Sequence, residues 1–438
     1  MHPYLRATFW ILLFLLLVQA PLFVLLLGPK PAGDGFWFDL SLALGFAVTA
    51  MMAIMFLLTA RFQRATAPFG IDLVYYFHRL ASIGAFAFAT LHPLLLFHEE
   101  PGLLRVILAG TLPLHLWTGL VSWVAMAALM ISSLWRKPLR IHYDAWRVVH
   151  VLLALTALLL AVAHIVAVGH YSATPWKTWL WLGIALSCVA VVIRVRLIKP
   201  VQLLRRPWRV TRVIKERGSS WTLELRPEGH GGFRYLPGQF AWLTLRSSPF
   251  AMREHPFSIS SSADTPGVIS FTIKELGDFT NRIGEIQAGE KAWIDGPYGT
   301  FSVDISRAPG YVFVAGGVGI APIMSMLRTL AERGDLRPLL LFYAYHTWER
   351  VTFREELEAL CQRLNLDIVY VLSEPPADWQ GERGLLRDEV FARHLPDDRA
   401  VRECFICGPT PMIAVAETAL ARQGIPPTHI HSEIFDLV

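Results

Sequence analysis

Apolar positions along this chain of 438 residues change their rhythm once, near Pro200. Before it they come in long unbroken runs, and after it in short alternating ones. Six long runs occupy roughly 7–27, 37–60, 73–97, 112–134, 146–169 and 176–197, each bounded by charged, Pro or Gly residues. Each reaches the roughly 20 residues that span a bilayer. Beyond Pro200, β-rich stretches such as "WTLELRPEG" and "VISFTIKELGD" predict a small antiparallel barrel over about 205–305. From Tyr311 the pattern becomes strand, glycine-rich turn, helix in "YVFVAGGVGIAPIMSMLRTL". The strands "PLLLFYAY", "LDIVYVL" and "ECFICGP" follow, with helices expected around 353–364 and in "PMIAVAETALARQG". That alternation predicts a parallel α/β sheet with ligands at the carboxyl ends of its strands. The fold class is therefore multi-domain. It comprises a six-helix transmembrane bundle (1–200), an antiparallel β-barrel (201–307) and a parallel α/β nucleotide-binding domain (308–438).

Composition sharpens the division. Hydrophobic residues make up 54% and mean hydropathy is +0.43, but the excess is uneven. Residues 1–200 hold 14 Lys+Arg and 6 Asp+Glu, and the remainder holds 26 and 29. The first part is solvated by membrane lipid and the second by water. Arg6, Arg61, Arg64, Arg136, Lys137, Arg140, Arg147, Arg194, Arg196, Lys199, Arg205 and Arg206 fall at one set of helix ends, against Lys30, Arg105 and Lys177 at the other. The positive-inside rule puts the first set, with the water-soluble half, in the cytoplasm. The expected location is the inner membrane, multi-pass. A rival reading makes 1–20 a cleaved signal peptide ending in "VQA", although the apolar run continues to Leu27. The basic isoelectric point reflects loop arginines and implies no nucleic-acid surface.

The chemistry begins with a repeat. "HRLASIGAFAFATLH" (His78–His92) and "HVLLALTALLLAVAH" (His150–His164) have the same length and the same ends. Residues 14 apart on a helix lie about 21 Å apart along the axis and about 40° around it. Each stretch thus carries two histidines on one face at two depths. The third and fifth runs point the same way, so His78 meets His150 at the inner level and His92 meets His164 at the outer. Ala81, Ser82, Ala85 and Ala89 on one helix, and Ala154, Ala157 and Ala161 on the other, leave a slot that a flat macrocycle fills. Small faces also serve plain helix packing, but four intramembrane histidines at matched levels point to function. The expected ligands of two b-type haems are His78, His150, His92 and His164. His115 is expected as a packing or propionate contact, His142 as a solvated loop residue, and His98 and His170 as exposed loop residues near the outer edge.

In the water-soluble half, "AGGVGIAP" allows close backbone approach at a helix N-terminus, where a pyrophosphate is favoured. "CGPTPM" ends a later strand of the same sheet and is expected beside it. "HPFSISS" offers an aromatic ring and hydroxyls on a strand. "GDFT" offers a backbone nest and a hydroxyl before a helix, suited to phosphate. The four cysteines suggest no disulfides, and no second pair completes a metal set around Cys404 and Cys407.

The order of paired membrane histidines, HPFS, GDFT, GPYG (Gly296–Gly299), GGVGIAP, CGP and a near-terminal Phe resembles the ferric reductase and NADPH oxidase superfamily over about residues 40–438. The resemblance implies a haem domain joined to a ferredoxin-reductase-like FAD and NAD(P)H module. His255, Pro256, Phe257 and Ser258 would hold the flavin and its ribityl–phosphate chain, and Gly277, Phe279 and Thr280 its pyrophosphate. Gly316, Gly317, Gly319 and Pro322, with Cys407, Gly408 and Pro409, would hold the nicotinamide nucleotide. Phe435 matches the terminal aromatic that stacks on the isoalloxazine, and it is expected, with Cys407, at the hydride-transfer centre. Soluble ferredoxin reductases usually have Arg where His255 stands, which favours the oxidase-like branch. Relatives selecting NADPH often place an arginine just after the second strand of this domain. Here His346 stands there, with Arg350 as a substitute and Glu349 opposing it, so a slight NADPH preference is expected.

The implied activity is transmembrane electron transfer from cytoplasmic NAD(P)H, via FAD and two haems, to an external acceptor. Leu96 stands where the oxidase branch commonly has a histidine one turn past the outer ligand, and "FWFDLSL" opens the second run without an arginine. Both departures favour a ferric chelate as acceptor, with Glu99, Glu100 and His98 near the exterior, over superoxide production from oxygen. A cytochrome b subunit reducing a periplasmic partner protein stays open. A haem sensor or transporter has no use for two nucleotide sites.

Overall fold

The computed structural model describes residues 3–60, 71–110 and 112–434. It divides into two compact units, one of helices up to Pro200 and one from Val201 onward.

The first unit contains α1 (Pro3–Leu25), α2 (Phe36–Thr59), α3 (Ile71–Glu99), the short α4 (Gly102–Leu108), α5 (Leu114–Leu134), α6 (Tyr143–Val168) and α7 (Pro175–Ile193), and the short α8 (Lys199–Leu204) runs across the division at Pro200. Among the described residues, six helices are long and apolar enough to cross a membrane, and they fall on the six expected runs. Arg61 and Arg64 lie outside the described residues. Val48, Met52, Ala85, Ala157, Leu158, Val162 and Trp181 form the core, while Leu12, Leu16, Phe23, Leu94 and Leu152 face outward. That inversion suits a bundle whose surroundings are themselves apolar. α6 packs closely on α5, whereas α3 is held away from α6. Lys177, fully buried, donates to the carbonyls of Leu25 at 2.6 Å and Pro29 at 2.9 Å.

The change of rhythm at Pro200 suggested a break, but the last helix continues through it. α7 widens into a π turn at Arg194–Ile198 before α8 begins, with the Lys199 N–H reaching the Arg194 carbonyl. Proline lacks an N–H and crowds the carbonyl four residues back. The wider turn absorbs that mismatch without ending the helix.

The second unit starts with a barrel of β1 (Trp208–Glu216), β2 (Ser220–Pro227), β3 (Phe240–Leu245), β4 (His255–Ser258), β5 (Ile269–Lys274) and β6 (Lys291–Tyr298). The strands are antiparallel in the order β4-β3-β6-β1-β2-β5, and a bridge between Ile259 and Phe271 ties the two edges. Val210, Leu223, Leu225, Leu243, Phe271 and Ile294 fill the interior. A parallel sheet follows, made of β7 (Tyr311–Gly316), β8 (Leu339–Tyr345), β9 (Leu366–Leu372), β10 (Glu382–Arg383), β11 (Glu403–Gly408) and β12 (Ile430–Ile434). Its order is β10-β9-β8-β7-β11-β12. The helices are α9 (Ile320–Glu332), α10 (Arg354–Cys361), α11 (Asp388–His394) and α12 (Thr410–Arg422). β7 is buried at every position, as a central parallel strand covered on both faces requires. Barrel and sheet pack as one unit, since α9 carries Ser325, which donates to the Ser261 carbonyl at 2.7 Å, and Glu332, which accepts from Ser262 at 2.6 Å.

Candidate functional site

The two histidine pairs form. Ring centroids of His78 and His150 are 6.4 Å apart, and those of His92 and His164 are 6.3 Å apart. A metal–imidazole bond of about 2.0 Å plus about 1.15 Å from nitrogen to ring centre puts two imidazoles on one metal about 6.3 Å apart. The observed spacings therefore match rings that share an iron.

Hydrogen bonding points the same way. His92 Nδ1 lies 2.8 Å from the Ser41 carbonyl and 2.9 Å from Ser41 Oγ, and His164 Nδ1 lies 2.6 Å from the His115 carbonyl. A carbonyl only accepts, so both rings carry the proton on Nδ1 and leave the Nε2 lone pair bare. That is the tautomer a metal ligand needs, and the residues fit the group. His150 Nδ1 approaches Ser133 Oγ at 3.3 Å. Among the described residues His78 Nδ1, which is buried, has no hydrogen-bond partner.

Two glycines seat the outer rings. A Cβ at Gly45 would come 3.3 Å from His92 Nδ1, and one at Gly119 would come 2.9 Å from His164 Nδ1. Ser41, Gly45, Gly119, Ser133 and the His115 carbonyl escaped the sequence reading. His115 acts through its backbone, where a ring contact was expected. Around the inner pair a small open cleft is lined by Met55, Phe56, Thr59, Ala154, Val191 and Arg196, besides the two histidines. Ala154 of the expected small-residue face lines this cleft. Between the levels Phe86 stacks on Trp123 at 6.0 Å. His98 is exposed, whereas His170 is half-buried against Phe38 and Tyr171 and lies 3.6 Å from Asp34.

In the barrel, HPFS and GDFT come together. Phe279 stacks on His255 with centroids 4.0 Å apart and lies near-parallel to Phe257 at 6.1 Å. Pro256 sits between those two rings on β4, paired with Trp242 of β3. Ser258 Oγ is buried with no partner among the described residues, an orphaned hydroxyl that fits a flavin polar chain. The expected nest at Gly277 is occupied from within. Thr280 Oγ1 accepts from the N–H groups of Leu276 and Gly277, both at 2.9 Å. A threonine three residues past a turn glycine caps its own turn, so neither its hydroxyl nor those N–H groups are spare.

The glycine turn and the CGP strand end interlock. A Cβ at Gly319 would lie 2.2 Å from the Cys407 carbonyl. One at Gly316 would meet Met412 at 2.5 Å and Pro409 at 2.9 Å, and one at Gly408 would meet Gly316 Cα at 3.1 Å. Gly317 has φ +55°, open to glycine without strain. Pro322 is buried in the first turn of α9. Cys407 is wholly buried, and its carbonyl, not its thiol, faces the turn. β12 pairs Ile434 with Gly408, which carries the chain to this turn. Phe435 lies outside the described residues.

Lys274, also unnoticed in the sequence, ends β5 with Nζ 3.9 Å from the Cβ position of Gly317. Burial, and then the charge of Arg350, hold its ammonium pKa below the usual lysine range. Two cations gathered over a glycine turn make an anion-seeking surface. Arg350 reaches Ser219 Oγ at 3.5 Å. His346 directly follows β8, with Nδ1 3.1 Å from Ser373 Oγ.

These features define an NAD(P)H-dependent flavoprotein oxidoreductase joined to a multi-pass membrane unit. Three family patterns match in the same order: "Ferric reductase like transmembrane component" over 44–161, "FAD-binding domain" over 220–302 and "Oxidoreductase NAD-binding domain" over 313–418. Over those stretches the chain is similar to a ferric-reductase-like transmembrane component followed by a ferredoxin-reductase-type FAD/NAD module. It is 31% identical over 245 residues to the reductase component of propane 2-monooxygenase from Rhodococcus jostii, covering 54% of this chain and 64% of that protein. It is 32% identical over 210 residues to the glycine betaine monooxygenase reductase subunit of Chromohalobacter salexigens, covering 46% and 56%. The chain thus spans between 56% and 64% of the length of these two relatives. Among solved structures, the FAD/NAD-binding domain of nitric oxide dioxygenase from Vibrio cholerae aligns with a TM-score of 0.47 and 20% identity, covering 52% of this chain and 98% of that one.

Proposed function

We propose that this protein carries electrons across a membrane from NAD(P)H, through FAD and two b-type haems, to an acceptor on the far side, with a ferric chelate as the favoured acceptor. The observation that carries the reading is the pair of histidine pairs spaced 6.3 and 6.4 Å apart, with the outer Nδ1 protons on carbonyls. His78 and His150 would hold the inner haem, and His92 and His164 the outer. Bound there, iron porphyrins supply one-electron carriers, and FAD supplies the exchange between hydride and single electrons.

The protein's part is placement. His255, Phe257 and Phe279 offer a flat apolar surface for the flavin, and Ser258 a hydroxyl for its chain. Gly316, Gly317, Gly319 and Gly408 bring bare backbone to the nucleotide, and Lys274 with Arg350 supply charge for its phosphates. Arginines clustered at one set of helix ends support a cytoplasmic flavin module in an inner-membrane protein. Glu99, Glu100 and His98 are exposed at the end of α3, an open polar edge suited to a bulky iron complex more than to oxygen.

The test uses purified, flavin-loaded holoprotein. Two haems per chain are expected, with NAD(P)H-driven reduction of both and chelate reduction without oxygen. A ratio of one in folded protein sinks the two-haem reading. Negligible anaerobic chelate reduction, with superoxide accounting for nearly all NAD(P)H consumed in air, replaces the iron acceptor by oxygen. Reoxidation that requires an added protein points instead to a protein acceptor, as the reductase components among the relatives suggest.

A further inference from the structure

The four imidazoles are not held alike. At the outer level both Nδ1 atoms meet backbone carbonyls, at 2.8 Å for His92 and 2.6 Å for His164. At the inner level His150 Nδ1 meets only a hydroxyl at 3.3 Å, and that hydroxyl of Ser133 gives its own proton to the Leu129 carbonyl at 2.6 Å. His78 Nδ1 is buried with no hydrogen-bond partner among the described residues.

Ser41 alone among these partners offers one ring two acceptors, its carbonyl and its hydroxyl. It is fully buried. Its hydroxyl donates to the His92 carbonyl at 2.7 Å, so the oxygen facing His92 Nδ1 at 2.9 Å can only accept. The ring proton is therefore shared between two acceptors of one residue. An acceptor drawing on Nδ1–H leaves Nε2 more basic. A more basic ligand favours ferric over ferrous iron, because the ferric state carries one more positive charge. A long contact to a hydroxyl does this weakly, and an unpartnered Nδ1 does not do it.

We propose that Ser41 is a positioning residue that, acting with the His115 carbonyl, makes the outer histidine pair the lower-potential iron site and leaves the inner pair the higher. The proposal rests on the two-haem reading. Its consequence is that the site facing the acceptor is the more reducing one, while an electron at rest stays at the inner level.

The experiment is a spectroelectrochemical titration of the holoprotein, with haem content measured on the same samples and EPR g-values recorded for the oxidised haems. Ser41→Ala removes the hydroxyl and keeps the carbonyl. It is expected to raise the lower midpoint alone, to shift the g-values of that haem, and to retain two haems. Ser41→Thr restores both readouts, and Ser133→Ala leaves the lower midpoint in place. If Ser41→Ala sheds the outer haem, Gly45→Ala takes its place. Its Cβ would press on His92 Nδ1 from 3.3 Å, and it is expected to raise the same midpoint. A shift of the higher midpoint, or of neither, in a variant that keeps two haems overturns the proposal. Fewer than two haems in the wild type strikes at the haem reading instead, and the haem count separates that failure from this one.

Discussion

In the membrane unit, four imidazoles project from two helices into a shared space. In the soluble unit, the cofactor surface at the glycine turn is made by leaving side chains out. The difference follows from what each ligand offers. On the proposed two-haem reading an iron needs donor atoms at set distances, which suits a site built of rings and of whatever holds them, namely Ser41, Gly45, the His115 carbonyl and Gly119. A dinucleotide offers phosphates that backbone N–H groups bind well, so the site is built of Gly316, Gly319 and Gly408 packed against one another. The first kind fails when a donor is lost, and the second when an atom is gained.

The largest effect is expected from donor loss. His164→Ala should bring two haems per chain to one and take chelate reduction to background, while NAD(P)H still reduces the flavin at its usual rate in stopped flow. A parallel collapse of flavin reduction would break the comparison, because the two sites would then not be separable. Next comes atom gain at the turn. Gly319→Ala puts a Cβ 2.2 Å from the Cys407 carbonyl. A displacement of about 1 Å costs on the order of 10²-fold in a positioned reaction, so NAD(P)H oxidation should fall by about that factor with haem content unchanged.

Gly119→Ala sharpens the boundary, since it adds an atom to the donor-built site. With its Cβ 2.9 Å from His164 Nδ1, it should weaken outer-haem retention by about 10–100-fold, the scale of lost support for a metal ligand. Gly84→Ala, which would meet nothing within 4 Å, should do nothing. Haem loss to apomyoglobin measures both.

Smaller effects concern charge at the nucleotide turn. Lys274 has its pKa lowered by burial and then by Arg350. Its ammonium is present below that pKa and lost as pH rises through it. KM for NAD(P)H should therefore climb on the alkaline side at a lower pH than an ordinary lysine allows, and Lys274→Gln should flatten the climb. The smallest effect is cofactor choice. A slight preference for NADPH in kcat/KM is expected, and Arg350→Ala should remove it. A strong NADH preference in the wild type would refute this.

What was readable in the chain tracks the same contrast. The histidine ladder was legible because 14-residue spacing within one helix decides depth and face together. The apposition of GGVGIAP and CGP was legible because both end strands of one sheet. The supports of the ladder were not, because they come from other helices and act partly through backbone, which has no letter in the sequence. His115 shows this well, since its ring drew attention and its carbonyl makes the contact. At GDFT the chain offers a partner of its own that the letters do not reveal. A threonine hydroxyl can satisfy its own turn as readily as a phosphate, and here it takes two N–H groups. β10, α11 and β12 were missed because they are short, and β12 follows a run of turn residues.

Lys177 bears on how the bundle comes together. Its ammonium sits on the carbonyls of Leu25, at the end of α1, and Pro29, just beyond. Those acceptors exist in usable form only once the first helix has ended and the chain has begun to turn. A buried ammonium lacking them would be left without compensation. The last span therefore settles most easily against a first span that is already finished. The buried lysine thereby ties the closing of the bundle to its opening turn, since neither end of the contact is satisfied without the other.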